Sequence, residues 1–189
     1  MADPESKASG FNSAVQTLRK MVAVDAFERM TEKLPPETAQ VIRHPPLPLE
    51  WIPTVHFKRL VEAAQHDLFA GADGPVGEWG RQAVKHDLRT IYRVFIRFLS
   101  PQYVIERSAR LWNTYQRNSG EVRAERDGDG AALVRYEGLP STFAVPAFWA
   151  YQRGVLRGVV EATGLKEVDV AIVDGAGHTG HARIRVSWR

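Results

Sequence analysis

The sequence predicts an α+β fold, with about five helices packed on one four-stranded antiparallel sheet made of two hairpins. Three observations point there. The apolar residues recur at a helical period through the first two thirds of the chain, then at a strand period in 121–137 and 167–188. Asp127-Gly128-Asp129-Gly130 joins two β-type runs, and Asp-Gly between such runs is a strong hairpin signal. A second pair of β-type runs lies either side of a Gly-rich loop, after one more helical stretch. Two antiparallel hairpins separated by a helix can join in a single sheet with helices on one face.

Each element has its own reason. Residues 1–10 are small, polar and charged, and read as a disordered N-terminus. Residues 11–34 read as one helix, with Val15, Leu18, Val22, Ala26 and Met30 on its apolar side. A proline-dense connector follows, with Pro35, Pro36, Pro45, Pro46, Pro48 and Pro53. Proline fixes its own backbone angle, lacks an N–H and restrains the residue before it. The connector should therefore be extended and stiff, with at most a helical turn at Val41-Ile42. Leu47, Leu49 and Trp51 should pack on the core. Residues 11–53 are thus an N-terminal helix and connector, and 54–189 a single α+β domain of a ligand-binding kind.

Thr54 can cap a helix that runs to about Phe69, with Phe57, Leu60, Val61, Ala64 and Leu68 as its stripe. Gly71-Ala72-Asp73-Gly74-Pro75 breaks it. The next helix starts near Val76 or Trp79 and runs to Leu99. Ser100-Pro101 restarts the chain, a capping hydroxyl followed by Pro at the first helical position. The helix from Pro101 to about Asn118 should bury Val104, Leu111, Trp112 and Tyr115, and Gly120 ends it. Strands at 121–126 and 131–137 follow, then a helix from Pro146 through Ala162 and strands at 167–174 and 181–188.

Composition narrows the chemistry. The 189 residues are 44% hydrophobic and 25% charged, room for one sizeable core. Cysteine is absent, which excludes disulfides, thiolate metal sites and cysteine nucleophiles. No apolar run reaches the roughly 18 residues that span a bilayer. The first ten residues carry Asp3, Glu5 and Lys7 and lack the apolar stretch of a secretory signal, so a cytoplasmic location is expected. There is no Gly-x-Ser-x-Gly elbow, His-Glu-x-x-His or phosphate loop, and an enzyme is not expected. Neither is a metal site. His178 and His181 have only Asp174 near them, fewer ligands than zinc takes.

Two constellations stand out. Arg81, Lys85, Arg89, Arg93 and Arg97 follow each other every four residues and climb one side of a helix. They read either as an electropositive ridge for an acidic protein partner or as a solvated face. The chain carries no nucleic-acid-binding signature. Trp112, Tyr115, Phe148 and Trp149, with Phe143 and Tyr151 beside them, read either as the lining of an apolar ligand pocket or as ordinary core. Gly154 and Gly158, four apart on one helix, suggest that something approaches that backbone closely.

A resemblance enters on Trp51-Ile52-Pro53, on the 79–99 helix, on Leu111-Trp112-Asn113-Thr114-Tyr115 ahead of Gly120-Glu121-Val122, and on the closing Val186-Ser187-Trp188. These resemble a paralogous family of uncharacterised myxobacterial proteins. Its order of elements is similar to that of haem-nitric-oxide-binding domains, 4-vinyl-reductase-type domains and a Golgi transport subunit. The resemblance implies a helical layer over an antiparallel sheet, used for haem, for small hydrophobic molecules or for assembly. The chain departs from the haem branch because the 101–118 helix has no histidine and the Tyr-x-Ser-x-Arg pattern is missing. His86 is not at the expected place. The expectation is therefore a non-enzymatic, cofactor-free sensor or regulatory module that binds a small apolar ligand or a partner. A structural homodimer or assembly subunit is the alternative, and a haem-based gas sensor ranks below both.

Overall fold

The change of period along the chain becomes a division into a helical layer and a sheet. The computed structural model describes residues 2–91, 96–176 and 180–189, without the side chains at 86, 87, 89–91 and 97. Helices α1 (Ala8–Met21), α2 (Val24–Lys33), α3 (Pro36–Arg43), α4 (Val55–Ala63), α5 (Asp73–Ile91), α6 (Pro101–Tyr115) and α7 (Pro146–Glu161) carry the layer. A π turn, Ala64–Leu68, extends α4. Strands β1 (Glu5–Lys7), β2 (Trp51–Pro53) and β3 (Gln116–Arg117) make a small sheet in the order β2-β1-β3. Strands β4 (Glu121–Arg126), β5 (Ala131–Glu137), β6 (Val168–Gly175) and β7 (Ala182–Trp188) make the larger one, β4-β5-β7-β6, with every pair antiparallel.

Alternation sets the faces of the large sheet. Ala132, Val134 and Tyr136 of β5 and Ala182, Ile184 and Val186 of β7 are buried, and their neighbours in sequence point outward. Val134 lies opposite Ile184, and Val186 opposite Val170. Helix α7 covers this inner face with Phe148, Trp149 and Leu156. Helix α5 crosses α7 backbone to backbone. A Cβ on Gly154 would stand 1.7 Å from the Gly77 carbonyl oxygen, and one on Gly80 2.2 Å from that of Tyr151. Four small positions, Gly77, Gly80, Gly154 and Gly158, make the crossing. Trp79 is anchored beside it, its indole N–H donating to the Ala14 carbonyl at 2.8 Å.

The two hairpins join as expected, but the helical half differs in several places. There are seven α-helices among the described residues rather than about five. The stretch read as one helix over 11–34 is two, because Val22 and Ala23 are extended and turn the chain so that Phe27 and Met30 reach the core. Residues 5–7, expected to lack structure, form the central strand of the small sheet. Ser6 is buried there, its hydroxyl donating to Gln116 Oε1 at 2.6 Å and 2.8 Å from Thr54 Oγ1. The proline connector is not wholly extended, since Pro36 at the first position starts α3, where a missing N–H costs nothing. Leu47 and Leu49, expected on the core, are 70% and 75% exposed, because the turn carrying them runs over the surface. Helix α6 buries Val104, Ile105 and Ala109, but Leu111 and Tyr115, which were expected inside, are exposed: they share Val104's side of the helix and lie beyond Ile96 and Val159, which cover Val104.

Candidate functional site

The interior between α6, α7 and the large sheet is built of aromatic rings. Trp112 projects from α6, Tyr136 from β5, Phe143 from a short 3-10 turn, and Phe148 and Trp149 from α7. Ring centroids lie 5.6 Å apart for Trp112–Tyr136, 5.4 Å for Trp112–Phe143, 5.2 Å for Tyr136–Trp149 and 5.0 Å for Phe148–Trp149. Most pairs meet edge to face, the arrangement that ring quadrupoles favour. Phe57 and Tyr151 carry the stack on to Trp79. Burial pushes the Tyr136 hydroxyl pKa up, while its bond from Gln152 Nε2 at 2.8 Å pulls the other way. The Trp149 indole N–H is buried and has no hydrogen-bond partner among the described residues.

Of the four residues read as a pocket lining, Trp112, Phe148 and Trp149 thus come together, and Tyr115 does not. Tyr115 is 41% exposed, with the Lys7 ammonium 5.6 Å from its ring. Phe143, one of the two further aromatics read beside that lining, also belongs to the cluster. Tyr136 belongs to it too, and sequence reading missed it. The alternation of β5 marks Tyr136 as inward-facing, which was the available signal.

The two described side chains of the basic ridge on α5, Arg81 and Lys85, share the carboxylate of Glu161. Glu161 of α7 accepts from Arg81 Nη1 at 2.8 Å, from Lys85 Nζ, and from Arg157 Nε at 3.0 Å. Burial pushes the Glu161 carboxyl pKa up, but hydrogen bonds from Lys85 and Arg81 outweigh it and hold the pKa below the usual range. Arg81 also forks onto Glu78 at 2.7 Å, which holds its guanidinium charged. Arg93 and the side chains of Arg89 and Arg97 lie outside the described residues.

Two cavities border these features. One, of about 300 Å³, lies between the start of α5, the middle of α7 and β6, and is lined by Asp73, Glu78, Arg81, Arg153, Arg157 and Asp169 among others. The other, of about 270 Å³, lies at Arg135, Glu137, His181 and Arg183 on β5 and β7. Charged residues make up half of each lining. Of the histidines, His56 is buried with its Nδ1 3.0 Å from Thr38 Oγ1. Burial, and then the Arg59 charge, push its pKa down. His44 and His66 are exposed, and His181 is half exposed beside Asp174. His178 and the side chain of His86 lie outside the described residues. Among the described residues no three of His, Asp and Glu converge as metal ligands, and no helix is long and apolar enough to cross a membrane.

No known family and no curated protein matches the chain by sequence. Solved structures do match it by fold, H-NOX proteins among them. A structure from work on heme distortion in the H-NOX family is 15% identical, covers 97% of this chain and 95% of its own, and superposes with a TM-score of 0.70. An H-NOX protein of K. algicida with unliganded Fe(II) is 9% identical, covers 97% and 96%, and reaches 0.69. A mutant H-NOX protein of T. tengcongensis is 15% identical, covers 93% of each chain, and reaches 0.66. At these identities the likeness is one of fold. It places the chain in the wider fold group that the sequence resembled. It also corrects two expectations, a cofactor-free module and a main role in binding a small apolar ligand or partner. The neighbours are haem proteins, and they favour the reading ranked last.

The described side chains do not fit a haem held from α6. Haem iron takes an axial His, Cys, Met or Tyr. Helix α6 has no His, Cys or Met, and its two tyrosines, Tyr103 and Tyr115, are 51% and 41% exposed on its outer side. Trp112 faces inward instead and closes the aromatic stack against Tyr136 and Phe143. A planar macrocycle there would have to displace packed rings.

Proposed function

We propose that this chain is a sensor domain of the H-NOX type, a non-catalytic unit, with haem the first cofactor to test on it. The observation that carries the reading is the shared fold over 97% of this chain and 95% of its neighbour. Membership of the paralogous myxobacterial family, on Trp51-Ile52-Pro53 and the Leu111–Tyr115 run, belongs to the same proposal, as does a regulatory role. Since α6 supplies no ligand, a haem would have to be held from elsewhere. His86 of α5, seven residues on from Trp79, is the histidine to change first.

The test is absorption spectroscopy on full-length protein expressed with added haem precursor. The reading expects a Soret band that shifts when nitric oxide or carbon monoxide is added. The band should be lost in His86→Ala and kept in His44→Ala. A spectrum with no Soret band overturns haem as the cofactor and leaves the H-NOX likeness as one of fold.

A further inference from the structure

Among the described residues, nothing covers the outer side of α6 beyond its first turn. At 100° per residue, positions 103, 107, 110, 111, 114 and 115 fall within about 140° of arc. They are Tyr103, Arg107, Arg110, Leu111, Thr114 and Tyr115, and all six are exposed. Val104, at the first turn of the same arc, is covered by Ile96 and Val159, so the open surface begins beyond it. Tyr103, Leu111 and Tyr115 are 51%, 36% and 41% exposed, where large apolar residues are more often covered. No acid stands on the arc, and no ion pair to Arg107 or Arg110 is found among the described residues. Glu106 lies to one side, and its carboxylate accepts from Gln102 at 2.6 Å.

The small sheet continues the surface with rings and cations, and there Arg117 also donates to the Glu5 carboxylate. The Lys7 ammonium lies 5.5 Å from the Trp51 ring, and the Arg117 guanidinium stacks on that ring at 4.5 Å. Aromatic rings and arginines together are the residues that dominate the energetics of protein interfaces. The apolar strip of Leu111 and Tyr115, with cations beside it and along the arc, has a definite complement. It fits an amphipathic helix whose apolar side meets Tyr103, Leu111 and Tyr115 and whose flanks carry Asp or Glu. Nucleic acid fits less well. A phosphate backbone wants a file of cations on phosphates, and here the cations share the arc with a leucine.

We propose that the outer face of α6 is the docking surface for an acidic amphipathic helix of a partner protein. This stands apart from the haem question, because none of its residues lines the aromatic interior. The probe is a synthetic peptide of about five helical turns with leucines on one side and glutamates on the other. Its binding to the full-length chain is followed by fluorescence anisotropy, beside a twin peptide with lysines in place of glutamates. The glutamate peptide should bind and the lysine peptide should not. Arg107→Glu combined with Arg110→Glu should weaken binding by about tenfold or more, because charge complementarity is reversed. Leu111→Ser should weaken it too, and Arg123→Glu on the large sheet should leave it unchanged. Circular dichroism checks that each variant folds. Equal binding of the two peptides, full affinity in the double variant, or an equal loss in Arg123→Glu overturns the proposal. So does a single-stranded oligonucleotide that displaces the glutamate peptide and binds more tightly than it does.

Discussion

Gly154 sits where two helix backbones touch, and the contact leaves no room for a methyl group. A Cβ there would fall 1.7 Å from the Gly77 carbonyl oxygen, an atom that cannot swing aside. Gly154→Ala should therefore destabilise the fold by about 2–4 kcal/mol, read as a lowered Tm in thermal melts. Gly74, about one turn before Gly77 on α5, is different, because a Cβ on it would have nothing within 4 Å. Gly74→Ala should be neutral or stabilise by up to about 1 kcal/mol. If both glycines behave alike, the close crossing of α5 and α7 is wrong. The sequence shows Gly154 and Gly158 as a site of close approach. It does not show that the approaching chain is α5 at Gly77 and Gly80, since that depends on two helices far apart in sequence.

At the scale of elements, α5 and α7 are locked by Glu161 as well as by their glycines. Its carboxylate is 9% exposed and serves Arg81, Lys85 and Arg157 together. A carboxyl whose folded pKa is depressed adds stability that is fully present above its unfolded pKa. That stability is lost as pH falls through the folded value. Glu161→Gln should therefore cost about 1–2 kcal/mol at neutral pH. In urea titrations the gap from the parent protein should close as pH falls through and below the carboxylate range. A gap that stays constant with pH would show that the packing of Glu161, not its charge, matters.

Two expectations fail at this scale, each for a physical reason. Pro35-Pro36 looks like an extended stretch, yet the second proline is well placed to open α3. Only the burial of Thr38, Ala39 and Ile42 beneath it decides for the helix. For α6 the period is legible but the length of helix that is covered is not. Val104 is covered by Ile96 and Val159, while Leu111 and Tyr115, about two and three turns further along the same side, are left outside.

At the scale of the whole molecule, one apolar core runs through every layer. It includes Leu18, Phe27 and Ile42 from the first helices, Trp79 and Trp149 from the middle, and Val134 and Ile184 from the sheet. The sequence divides at residue 53 into a connector and a domain, but the core crosses that line. Heat unfolding should therefore be one transition, with tryptophan fluorescence, near-UV and far-UV dichroism melting together. An early separate loss of helix signal would restore the division. By itself the sequence determined the four-stranded sheet, its hairpin turn and the starts of α6 and α7. Those rest on local chemistry, namely strand alternation, Asp-Gly turns, a Ser cap and Pro at the first helical position. Tertiary structure alone decided the rest. It recruited Glu5–Lys7 as a central strand between two distant segments, brought α5 against α7, and filled the interior with rings from four separate elements. Each of these needs partners far apart in sequence, and no local pattern records which of them will meet.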